Sequence, residues 1–140
     1  MAEGVSRETD NPIVSWFPIL TVITGALVLL QAILAGRGWF IDYDLIEIHG
    51  FVGNVTFIAA ILLVIGAWLG RQRGSMGTAE LGLSGALLVL TVAQIGLGYG
   101  GRDSQTAASL HIPNGILVTG ISAALITLAY ARRPVGLGRV

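Results

Sequence analysis

The chain has 140 residues, 54% of them hydrophobic and 11% charged, with a mean hydropathy of +0.78, which is too apolar for an ordinary water-soluble domain and too short for two large ones. Eight acids are balanced by eight arginines with no lysine, so no basic patch points to nucleic acid. Without cysteine there are no disulfides, thiolate metal sites, thiol catalysis or cysteine-ligated iron–sulfur clusters.

The first fifteen residues, MAEGVSRETDNPIVS, are polar and net acidic. They lack a basic n-region and a small-residue cleavage site, so no removable signal peptide is expected. Four apolar segments follow, at about residues 15–36, 46–70, 80–100 and 108–131, each reaching the roughly 20 residues that a transmembrane helix needs. The expected fold is an all-α integral membrane protein, one domain built as a four-helix bundle. Between the second and third segments lies RQRGSMGT, and after the fourth comes ARRPVGLGRV. The other two loops, RGWFIDYDL and GRDSQT, are acidic or neutral. Six arginines thus fall on one side and two, Arg37 and Arg102, on the other. The positive-inside rule then places both termini in the cytoplasm of a cell membrane.

The chain carries an internal repeat, with halves at about 15–72 and 78–133. Gln31 is followed by Ala35, Arg37, His49 and Gly53; Gln94 is followed by Gly98, Arg102, His111 and Gly115. The step from Gln to His is 18 residues in one half and 17 in the other. The second and fourth helices run in the same direction, with each histidine in the first turn or two. Both imidazoles therefore belong at one depth near the outer surface, where they can face each other across the bundle.

The two histidines are the only ones in the chain. Neutral imidazole is the common nitrogen ligand of haem iron, and helix bundles build cofactor sites from facing side chains. The pattern therefore predicts one b-type haem with His49 and His111 as axial ligands. Gly53 and Gly115 lie four residues after the histidines, on the same face one turn deeper, where small residues let a flat macrocycle approach. Small residues also line ordinary helix contacts in membranes.

The competing reading of each histidine is an interfacial residue bonded to a loop carbonyl or water. A zinc or copper site would need a further ligand from Glu47, Asp42, Asp44 or Asp103, which read more naturally as a solvated rim. Arg37 and Arg102 suit the two haem propionates, or else pair with Asp42, Asp44 or Asp103. Gln31 and Gln94 need partners in hydrocarbon: across helices, at a loop carbonyl, or at a histidine's other ring nitrogen, where they would orient the imidazole. Asn54 and Asn114 carry the same choice. Pro113 is expected at the start of helix four, where the first amides lack partners.

The second half, AQIGLGYGG followed by SLHIPNGILVTG, resembles the four-helix halves of haem A synthase, in which a Q-x-x-L-G-like stretch on one helix precedes a histidine on the next. The layout also resembles small four-helix membrane proteins whose two hairpins each carry such Gln and His positions. Over about residues 30–120, the resemblance implies His49 and His111 as axial ligands from the second and fourth helices. The chain has one such bundle, and its apolar spans hold no acid except Glu47 and Glu80 at their ends. The resemblance therefore extends to the haem site and not to the synthase's oxidative chemistry.

These features predict a small membrane cytochrome b that passes electrons, alone or as a subunit of a larger redox or photosynthetic assembly, rather than a stand-alone enzyme. One haem near the outer face cannot span the membrane, so a quinone, a second cofactor or a partner subunit is expected beside the surrounding lipid. Chlorophyll-type pigments on the two histidines, or a cofactor-free structural subunit, are the alternatives. No Ser, His and acid constellation suggests a hydrolase. A reporter enzyme fused after Arg139 is expected to be active in the cytoplasm; activity on the other side of the membrane overturns the orientation and the outward placement of the histidines.

Overall fold

The computed structural model describes residues 12–131, which form four helices: α1 (Pro12–Phe40), α2 (Leu45–Gln72), α3 (Thr78–Gly100) and α4 (Gln105–Ala131). Most of the segment read for a signal peptide, and Arg7, Arg132, Arg133 and Arg139 of the arginine count, lie outside the described residues. All four helices are long and apolar enough to cross a membrane. Each packs against its neighbours in sequence, and α4 closes against α1. The result is a four-helix ring in which α2 and α4 stand diagonally opposite. The short loops 41–44 and 101–104 share one end, and the 73–77 loop lies at the other.

The helices run further than the hydropathy pattern predicts, for local reasons. Helix α1 continues through Gly36, Arg37 and Gly38, because Gly38 sits against the start of α2, where a Cβ would lie 2.7 Å from Ile46 Cδ1. The Arg37 carbonyl accepts from the amides of Ile41 and Asp42, so Arg37 belongs to the last turn of α1 rather than to a loop. Helix α3 begins at Thr78, since Glu80 Oε2 accepts from the Gly77 amide at 2.9 Å and closes its first turn. Helix α4 begins at Gln105, with the Ser104 hydroxyl accepting from the Ala107 amide. Pro113 is consequently not in the first turn as expected. It stands inside α4 and removes an interior helical hydrogen bond just after His111.

Burial follows the repeat. In α1 the buried residues Phe17, Thr21, Thr24 and Val28 stand 63 residues before Glu80, Ser84, Leu87 and Thr91 of α3, as Gln31 stands before Gln94. In α2, Thr56, Ala60, Leu63 and Ala67 stand 62 residues before Val118, Ser122, Leu125 and Ala129 of α4, as His49 stands before His111. The two hairpins therefore bury matching faces against each other. Large apolar side chains such as Ile23, Ile33, Ile58, Leu62, Val89 and Ile116 face outward on all four helices, as lipid contact requires.

The core is confined to one half of the bundle. Phe17, Val28, Leu63, Ala67, Leu87, Val118, Leu125 and Ala129 form it. Beyond Val28, Val52, Thr91 and Val118, towards the histidines, Gly38 alone among the described residues is fully buried. Because lipid tails are as apolar as the core, close packing rather than water exclusion holds such helices together, and α2 depends on Gly66 for it. A Cβ at that position would lie 2.6 Å from the Trp16 ring and 3.2 Å from Phe17. Gly66→Val is therefore expected to destabilise the bundle by about 1–3 kcal/mol, read as a shifted midpoint in a denaturation titration of the detergent-solubilised protein.

Candidate functional site

In the first hairpin, α1 and α2 are tied by two reciprocal bonds. His49 donates from Nδ1 to the Gln31 carbonyl at 3.1 Å, and Gln31 Nε2 donates to the His49 carbonyl at 2.9 Å. A carbonyl only accepts, so the proton is on Nδ1 of His49. The Gln31 side chain thus bonds across helices, to backbone rather than to the ring.

The second hairpin uses the same two positions differently. Asn114 Nδ2 donates to the Leu90 carbonyl at 2.9 Å and to Gln94 Oε1 at 2.6 Å. Because the Leu90 carbonyl can only accept, the Asn114 atom facing it is the amide nitrogen, and the Gln94 atom facing Asn114 is then its oxygen. That turns the Gln94 NH2 towards His111 Nε2, at 3.0 Å. His111 Nε2 therefore accepts, and the ring carries its proton on Nδ1. Here the glutamine does reach an imidazole nitrogen. Both histidines thus have a lone pair on Nε2, the form in which imidazole binds a metal.

The two rings face each other across the diagonal of the bundle, with centroids 6.2 Å apart and planes at 64°. Both are half-buried, and His111 Nδ1 is buried without a hydrogen-bond partner. Small residues make room around them. A Cβ on Gly53 would touch Gln31 Oε1 at 3.5 Å, and one on Gly115 would meet Gln94 Nε2 at 3.1 Å. Gly53 and Gly115 therefore open space for the glutamines that border the histidines. Gly98 does this for the ring itself, since a Cβ there would lie 3.1 Å from His111 Cε1. The sequence signal for Gly98 is its position four residues after Gln94, where the first hairpin has Ala35.

The remaining candidates are more dispersed. Arg37 and Arg102 are exposed at the histidine end, on the last turn of α1 and in the α3–α4 loop. The Arg102 guanidinium lies 5.1 Å from the centre of the Tyr99 ring, a cation–π contact. Asn54 is exposed, away from the site that Asn114 helps to build. Asp42, Asp44, Glu47 and Asp103 are exposed as well, and among the described residues no cluster of three or more His, Cys, Asp or Glu could hold a metal ion. Comparison of the chain with protein-family models, curated proteins and solved structures gives no match. The likeness to haem A synthase therefore rests on the residues quoted above.

Proposed function

We propose that the protein is a small membrane cytochrome b, holding one haem between His49 and His111 and passing electrons alone or as part of a larger redox assembly. The observation that carries this reading is the pair of Nδ1-protonated imidazoles whose centroids stand 6.2 Å apart on diagonal helices. Two imidazoles on opposite sides of one metal have centroids about 6 Å apart, from a metal–nitrogen bond of roughly 2 Å on each side plus about 1 Å from each nitrogen to its ring centre. The surroundings fit a large flat group as well. At this end the inward positions are Gln31, Ala35, His49, Gly53, Gln94, Gly98, His111 and Gly115, none fully buried, whereas the other half of the bundle is filled by side chains. One macrocycle shared by both histidines suits the spacing better than a chlorophyll-type pigment on each, because two macrocycles would have to share the same gap.

A bound haem would supply the one-electron change between ferric and ferrous iron. Without cysteine the chain has no thioether attachment, so the group is held non-covalently. His49 is aimed by its bond to the Gln31 carbonyl, and the apolar helices keep water from the ring. Arg37 and Arg102 are the cations available to carboxylates at this end. In this reading the termini lie in the cytoplasm and the site near the outer face of the cell membrane, with a quinone or a partner subunit exchanging the electron.

The purified protein is expected to show the reduced-minus-oxidised spectrum of low-spin haem b. Alanine at either His49 or His111 is expected to abolish that bis-histidine signature while the protein still inserts; both variants keeping the wild-type spectrum overturns the assignment. The arginines give a second test. Positive charge near the iron disfavours the ferric state, so Arg37→Gln or Arg102→Gln should lower the reduction potential by on the order of 20 mV, and by more at low salt. Arg71→Gln and Arg73→Gln, at the far end of the bundle, should leave it unchanged in the same redox titration.

A further inference from the structure

The two hairpins hold their histidines in different ways, and the difference bears on what else the site can bind. We propose that His49 is the fixed ligand and His111 the exchangeable one, so that the site admits a small neutral ligand of the carbon monoxide class in place of His111. This inference rests on the haem reading.

His49 is anchored from behind. Its Nδ1–H is bonded to the Gln31 carbonyl and its own carbonyl is held by the Gln31 amide, so the bonds that orient the ring leave Nε2 free to ligate. His111 is built the other way round. Its Nδ1 is buried and unpartnered, and its one ring hydrogen bond falls on Nε2, the nitrogen a metal would need. The Gln94 amide that makes this bond is fixed by Asn114, and Asn114 by the Leu90 carbonyl. Gln94 therefore competes with a metal for one lone pair. When His111 ligates, that bond is lost; when His111 withdraws, Gln94 recaptures it. The withdrawn ring is stabilised by a built partner, and Gly98 leaves room beside Cε1 where any Cβ would crowd it. The first hairpin has neither feature: its glutamine side chain bonds backbone instead of the ring, and Ala35 stands in the place of Gly98.

An incoming ligand has to displace His111, so whatever stabilises the withdrawn ring raises that ligand's apparent affinity. One hydrogen bond of ordinary strength corresponds to about 2- to 10-fold. The experiment is a carbon monoxide titration of the dithionite-reduced, detergent-solubilised full chain, followed at the Soret band. Wild type is expected to bind saturably. His111→Ala is expected to retain haem in a high-spin form and bind more tightly, while His49→Ala loses most of its haem. Gln94→Met, similar in length but without a donor, is expected to keep its haem content and low-spin spectrum and to bind about 2- to 10-fold more weakly. Gln31→Met, which leaves the ring bond of His49 to backbone in place, is expected to match wild type. A protein with a normal low-spin spectrum that binds no carbon monoxide, a Gln94→Met affinity equal to wild type, or haem retained by His49→Ala and lost by His111→Ala overturns the exchange while leaving the haem reading standing. A preparation with no Soret band overturns both.

Discussion

A polar side chain within the apolar span of a membrane helix has only other protein groups to bond with, and this requirement fixes how the two hairpins close. Gln31 and His49 meet across α1 and α2, and Gln94, His111 and Asn114 meet across α3 and α4. Interhelical hydrogen bonds in membranes average about 0.6 kcal/mol, so the five here amount to about 3 kcal/mol. That is enough to select one register between neighbouring helices and too little to hold four of them together. Cohesion comes from the opposite half of the bundle, where Leu63, Leu87 and Leu125 are almost wholly enclosed. The molecule therefore separates its tasks along its axis, with packing at one end and polar register at the other.

That separation explains how the histidine end tolerates loose filling. In a continuous core, replacing leucines with Gly53, Gly98 and Gly115 would leave voids whose linings lose their contacts. Here the far half supplies the packing, so the near half can keep small and polar groups turned inward. The buried hydroxyls of the packed half work in the same direction. Thr24, Thr56 and Thr91 each bond a carbonyl four residues back on their own helix, which satisfies them without tying the helices to one another.

The number of helices, their approximate spans and the duplication were legible in the sequence because hydropathy and repeat spacing are properties of the chain itself. The ends were less so. Hydropathy averages do not register that Ser104 caps α4 or that Gly77 and Glu80 close the first turn of α3, and the shift of the α4 start by three residues is what moved Pro113 from an expected first turn into the helix interior. That the two histidines face one another followed from the repeat, since parallel helices with equal offsets bring equivalent residues to one level. The role of Asn114 did not follow from it. Its counterpart 62 residues earlier is Val52, and Asn54, which looked equivalent by its nearness to His49, faces outward. A similar distance from a landmark is no guide to direction when each residue turns 100° about a helix axis.

Duplication makes two similar half-sites, and the departures from similarity show what each half has become. With valine at position 52, no side chain at that level can orient Gln31 as Asn114 orients Gln94, and Gln31 bonds backbone. With asparagine at position 114, the donor and acceptor ends of Gln94 are fixed by a chain that begins at a carbonyl unable to donate. One substitution between the halves thus decides whether a glutamine supports its histidine from the backbone or takes hold of the ring. The pseudo-symmetry brings two imidazoles to one level, and the break in it makes them chemically distinct.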